Sequence, residues 1–86
     1  MKKEIVIETN DATGANPIAK LVQIANSFES NIYITKAGIK VNAKSIMGMM
    51  NLVLSAGTKI TIDVSGSDQN QAMEEIEKFF LDADND

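Results

Sequence analysis

The sequence predicts an α+β domain, an open-faced β-sandwich in which a four-stranded antiparallel sheet carries three helices on one face. Three observations point there. Four short segments rich in Val, Ile and Thr alternate apolar and polar residues. Three others repeat apolar residues at helical spacing. Turn residues separate them in the order β-α-β-β-α-β-α, with no linker, repeat or low-complexity block, so residues 1–86 read as a single domain.

Each element has its own signal. Lys3 to Glu8 alternate as a strand with Ile5 and Ile7 inward, and Asn10-Asp11-Ala12-Thr13-Gly14 is a turn. Asn16 stands at a helix N-cap position and Pro17 at the first helical position, where a missing N–H costs nothing; Ile18, Leu21, Val22, Ala25 and Phe28 follow on one helical face. Asn31 to Lys36 and Ile39 to Ala43 form a hairpin through Ala37-Gly38. Ser45 to about Leu52 is a short helix, closed by Ser55-Ala56-Gly57. Lys59 to Ser65 alternate as a strand with Ile60, Ile62 and Val64 buried. The last helix starts near Asp68, where Gln71 completes a capping box, and it presents Ala72, Ile76, Phe79 and Phe80 to the sheet.

Composition narrows the function. With 44% apolar and 23% charged residues and no apolar run near the ~20 residues that span a bilayer, the chain reads as a soluble cytoplasmic domain without membrane attachment. Its net charge is −4, and all eight basic residues are lysines. That balance repels phosphate backbones, and of the four aromatic residues Phe28, Phe79 and Phe80 read as core, leaving Tyr33 to stack on a base, so nucleic acid is not an expected partner. The absence of cysteine and histidine removes thiolate nucleophiles, zinc clusters and the commonest general base, which excludes most enzyme chemistry and any expected metal or cofactor.

The most specific stretch is Val41-Asn42-Ala43-Lys44-Ser45-Ile46-Met47-Gly48. Ser45 caps the short helix, and capping alone accounts for a serine there, at about 1 kcal/mol. A phosphoryl group on the same hydroxyl would meet the unpaired N–H groups of a helix start. Met49 and Leu52 suit the core-facing side of that helix; Ile46, Met47 and Met50 cannot all turn inward with them. Spacing alone favours a core stripe for methionine, although methionine is also over-used on surfaces that meet several partners.

This stretch resembles the region around the regulatory serine of the phosphocarrier protein HPr of the bacterial sugar phosphotransferase system, and the element order is also that of HPr-like domains. The resemblance implies that Ser45 is phosphorylated by HPr kinase/phosphorylase. It further implies that Ile46, Met47 and Met50 form the apolar patch that docks partners, and that the seryl-phosphorylated form binds the catabolite control protein, a transcriptional regulator. Carbon catabolite control is the expected role, with enzyme I of the phosphotransferase system as a further docking partner.

One part of the pattern is missing. In HPr-like proteins the segment before the first helix reads Thr-Gly, an aliphatic residue, His, Ala, Arg, Pro; here it is Thr13-Gly14-Ala15-Asn16-Pro17. Counting from Gly14 puts Asn16 at the histidine position. Aligning on Pro17 and Val22-Gln23 puts Asn16 at the arginine position and deletes two residues, including the histidine, and keeps the proline and helix in register. Gly14, Ala15, Asn16 and Pro17 thus read as a degenerate phosphohistidine loop. An asparagine amide is no nucleophile toward a phosphoryl donor, and Lys20 lacks the planar grip of arginine. Crh-type proteins, regulatory paralogues whose histidine is replaced while the serine site persists, are similar in this respect.

Two other functions fit parts of the sequence. One is a non-transferring decoy that docks phosphotransferase enzymes. The other is a small-molecule-binding regulatory module of the ferredoxin-like kind, which strand order distinguishes. The ending Asp82-Ala83-Asp84-Asn85-Asp86 has the acidic spacing that opens a calcium loop but lacks the glycine and glutamate that complete one, so it reads as a solvated tail. Glu74, Glu75 and Glu77 read as a solvated charge stripe.

Overall fold

A computed structural model of the chain describes residues 1–8 and 15–81, excepting the side chains of residues 15 and 16. The elements are β1 (Lys2–Val6), α1 (Ala15–Asn26), β2 (Asn31–Lys36), β3 (Ile39–Asn42), α2 (Ile46–Met50), β4 (Lys59–Ser65) and α3 (Gln69–Leu81). The sheet order is β1-β4-β2-β3 with every ladder antiparallel.

Register follows from the alternation. Ile5 pairs with Ile60, Ile34 lies between Ile62 and Val41, and Ile32 pairs with Val64, so one face of the sheet is a continuous aliphatic surface. Glu4, Thr61, Thr35 and Lys40 form a cross-strand row on the other face, where nothing covers them completely. The helices cover the aliphatic side: Ile18, Leu21 and Ala25 from α1, Met49 from α2, and Ala72, Met73, Ile76 and Phe80 from α3 are buried against it. Each fully buried isoleucine or leucine contributes about 1.5–3 kcal/mol, so this face holds the domain together.

The expected core is observed with adjustments. Regular pairing of β1 stops at Val6 rather than Glu8, because the partner chain turns at Gly57, whose φ is +91°; Ile7 still bonds that turn through Gly57 N–H and the Thr58 carbonyl, and Glu8 N–H donates to the Phe80 carbonyl. Helix α1 starts at Ala15, so Asn16 is not its N-cap and Pro17 is its third residue, still within the first turn, where backbone N–H groups have no intrahelical partner. The hairpin is as expected: Ala37 and Gly38 both have positive φ, which matches a two-residue turn to the twist of the strands. Ile39, at the turn end of the edge strand, stays exposed. Phe79 is only half-buried and meets Phe80 edge to face at 5.3 Å. Asp82 to Asp86 lie outside the described residues.

The capping box at α3 is not formed. The Asp68 carbonyl starts the helix by accepting from Ala72 N–H, but its carboxylate accepts from the backbone N–H groups of Glu29 and Ser30 and from the Ser30 hydroxyl. Gln71 is exposed, and Gln69, not Gln71, reaches back to Gly66 N–H. The Ser30 hydroxyl, then the Glu29 N–H, hold the Asp68 carboxyl below its ordinary value of 3.8 against the opposing effect of burial. Gly66 permits this closure: with φ at +152°, an added Cβ would stand 2.6 Å from Ser30 Cα.

The strand order also excludes the ferredoxin-like alternative. A split β-α-β unit would set β1 and β3 side by side and parallel, whereas here they are the two opposite edges of an antiparallel sheet.

Candidate functional site

The site is built where β3 turns into α2. The Ala43 N–H donates to the Ile32 carbonyl, the last tie to the sheet. The chain then turns over Asn42, whose side-chain oxygen accepts from Lys44 N–H at 2.8 Å while its carbonyl accepts from Ser45 N–H at 3.0 Å. Helix α1 holds the turn from the side. Asn26 donates to its own helix at the Val22 carbonyl and to the Lys44 carbonyl at 3.1 Å, and the Lys44 ammonium donates to the Phe28 carbonyl at 2.8 Å. Three hydrogen bonds therefore fix Lys44, and Ser45 follows it.

Ser45 caps α2. Its backbone is extended (φ −105°, ψ 114°), its hydroxyl oxygen accepts from Gly48 N–H at 3.2 Å, and its carbonyl accepts from Met49 N–H. The residue is exposed. This single accepted bond leaves the oxygen a second lone pair, and among the described residues the hydroxyl proton has no acceptor. A Cβ at Gly48 would stand 3.5 Å from Ser45 Oγ and from Val41 Cβ, an ordinary contact distance.

The helix is five residues long, not eight, and ends at Met50 with Asn51 as its C-cap. The cause lies downstream: Leu52 and Leu54 are both buried, with Val53 exposed between them, and that alternation needs extended chain. Ser55-Ala56-Gly57 consequently belongs to a separate turn before β4, closed by Thr58 N–H to the Ser55 carbonyl. Met49 faces the core and is fully buried, whereas Ile46, Met47 and Met50 are 43%, 78% and 49% exposed. All three belong to the short helix that Ser45 caps. Val53, 63% exposed, and Ile39 add to the exposed apolar residues; neither was expected, although the Leu-Val-Leu alternation carries the signal for Val53.

The second region singled out in the sequence is only partly in view. Gly14 lies outside the described residues, Ala15 and Asn16 are backbone of the first turn of α1, and Pro17 is half-buried there. Among the described residues no three His, Cys, Asp or Glu side chains gather into a group able to hold a metal ion.

Residues 1–82 match the family described as PTS HPr component phosphorylation site. The HPr-like protein Crh of Halalkalibacterium halodurans is 43% identical over 79 residues, which cover 92% of this chain and 94% of that protein. The chain belongs to the HPr family. Crh of Bacillus subtilis is 40% identical over 88% of this HPr-like chain and 89% of its own length. A crystal structure of the phosphocarrier protein HPr from Bacillus anthracis superposes with a TM-score of 0.89 at 40% identity, covering 94% of this chain and 96% of that one. This HPr-like, Crh-like protein therefore groups with phosphocarrier proteins of the phosphotransferase system rather than with catalytic enzymes. No helix of the described residues is long and apolar enough to cross a membrane.

Proposed function

We propose that the chain acts as a single regulatory HPr-like domain in the cytoplasm, receiving phosphate on Ser45 from HPr kinase and taking no part in histidine phosphotransfer. The observation that carries this is an exposed, loosely bonded serine hydroxyl beside three exposed large apolar side chains, in an HPr-family chain that contains no histidine. In the transfer, a bond forms between Ser45 Oγ and the γ-phosphorus of ATP, the bond to the ADP oxygen breaks, and the hydroxyl proton passes to the kinase. The product adds about −1.5 to −2 charges at one end of a surface whose net charge is already −4, while Gly48 N–H remains in place to donate to a phosphate oxygen. The fold needs no rearrangement, and the readout is a changed surface. Ile46, Met47 and Met50 supply the apolar part of that surface and the phosphate the polar part, a combination suited to a transcriptional regulator such as the catabolite control protein.

Two phosphoryl donors offered in parallel test the reading. ATP with HPr kinase should add one phosphoryl group to the intact mass, and phosphoenolpyruvate with enzyme I should add none. The reverse pattern would overturn it. The exposed apolar patch also favours a second reading, in which the chain occupies enzyme I without accepting phosphate; saturable binding to enzyme I with no kinase-dependent mass gain would establish that reading in place of the first.

A further inference from the structure

We propose that Met47 and Met50 form an oxidation-sensitive modification site that switches the apolar surface beside Ser45 off and on. The chain offers an oxidant few other targets. It has no cysteine, histidine or tryptophan, one tyrosine, and five methionines, so thioethers are its most readily oxidised groups. The fold divides the methionines sharply. Met49 is fully buried and Met73 is 3% exposed, whereas Met47 is the most exposed large apolar side chain in the described structure and Met50 is half out of contact. Met1 is also exposed, but it lies at the start of β1, where its ammonium donates to the Val64 carbonyl, far along the sheet order from β3 and α2.

The chemistry balances with one co-reactant, a peroxide. A sulfur lone pair attacks one peroxide oxygen, the S–O bond forms as the O–O bond breaks, the thioether is oxidised to the sulfoxide, and the peroxide is reduced to water. Each event replaces a flexible apolar group by a strongly dipolar one. Two of the three apolar side chains flanking Ser45 would thereby become polar. The core would not follow, because neither Met47 nor Met50 fills it and the methionines that do, Met49 and Met73, are sealed. The step is reversible, since methionine sulfoxide reductases of the two epimer classes return sulfoxide to thioether. That oxidation alters docking rests on the reading of the patch given under Proposed function; that oxidation spares the buried Met49 and Met73 does not.

The test is limited hydrogen peroxide treatment of the full chain, followed by peptide-resolved mass spectrometry and by phosphorylation with HPr kinase and ATP. Met47 and Met50 should oxidise at least about tenfold faster than Met49 and Met73, with the circular dichroism and melting temperature unchanged. The oxidised protein should be held more weakly on a phenyl resin and be phosphorylated several-fold more slowly than the untreated protein, and both reductases together should restore it. A Met47→Leu/Met50→Leu variant should show the same phosphorylation rate before and after peroxide. Equal oxidation of Met47, Met49, Met50 and Met73 overturns the proposal, as does an oxidised protein with unchanged resin retention and unchanged phosphorylation. If the untreated protein is not phosphorylated at all, it is the Ser45 reading that fails, and site selectivity with resin retention decides the switch alone.

Discussion

Two serines of this chain sit beside a short connection into a helix, and the protein treats them in opposite ways. Ser30 is fully buried; its hydroxyl and N–H both donate to Asp68, and Gly66 lies flat against it. Ser45 is exposed, accepts one long bond, and faces a glycine where an added Cβ would reach it only at the ordinary contact distance of 3.5 Å. The hydroxyl and N–H of the first both serve to join the loop before β2 to the loop before α3. At the second, the hydroxyl is left largely to solvent while the neighbouring Lys44 takes the structural bonds. A serine hydroxyl is left to solvent when an adjacent residue takes the tertiary bonds, and the pattern of hydrogen bonds, rather than the residue type, distinguishes the two.

The contrast is sharpest at the glycines. Gly66→Ala would force a Cβ against Ser30 in a backbone conformation that L residues rarely adopt, and should lower stability by about 3 kcal/mol in urea titration. A smaller effect follows from Asp68. Its folded pKa is depressed, so the stability it contributes is fully present above the unfolded value of 3.8 and is lost as pH falls below that toward the folded value. The urea midpoints of the wild type and Asp68→Asn should therefore differ at neutral pH and converge as acid is added below pH 3.8.

At the other serine the effects shrink. Ser45→Ala removes an N-cap and should cost about 1 kcal/mol, whereas Ser45→Asp, which keeps an acceptor in the cap, should stay near wild type by the same titration. Gly48→Ala places a Cβ at ordinary contact distance on a helix and should stabilise by about 0.5–1 kcal/mol, the opposite sign to Gly66→Ala. Smallest of all, Met47→Lys should leave stability within about 0.5 kcal/mol of wild type while weakening any partner that docks on the apolar patch, measured by pull-down or calorimetry.

The reach of the sequence follows the same division. The four strands and their inward isoleucines are visible as simple alternation, because a sheet with one covered face leaves period-two patterning in the chain. The solvent-facing side of α2 is less plain: Ile46, Met47 and Met50 cannot all turn inward with Met49 and Leu52, yet spacing alone favours a core stripe of methionines, whereas Met49 is the buried residue of the helix. Less visible is what long-range contacts decide. Asp68 looks like an ordinary helix cap until Glu29 and Ser30, some 38 residues away, are brought to it by the fold. The length of α2 is likewise settled outside it, by the demand of Leu52 and Leu54 for the core, and the start of α1 lies two residues before Pro17 because a proline fits any position of a first turn. Local pattern locates the candidate site, and the tertiary ties that hold Lys44 and free Ser45 emerge only in three dimensions.

The most direct test of the account is site-localised. After reaction with HPr kinase and ATP, fragmentation of the intact chain should place a single phosphoryl group on Ser45, with Ser30 unmodified and Ser45→Ala blank. Phosphate on another serine, or equal incorporation in Ser45→Ala, would contradict it.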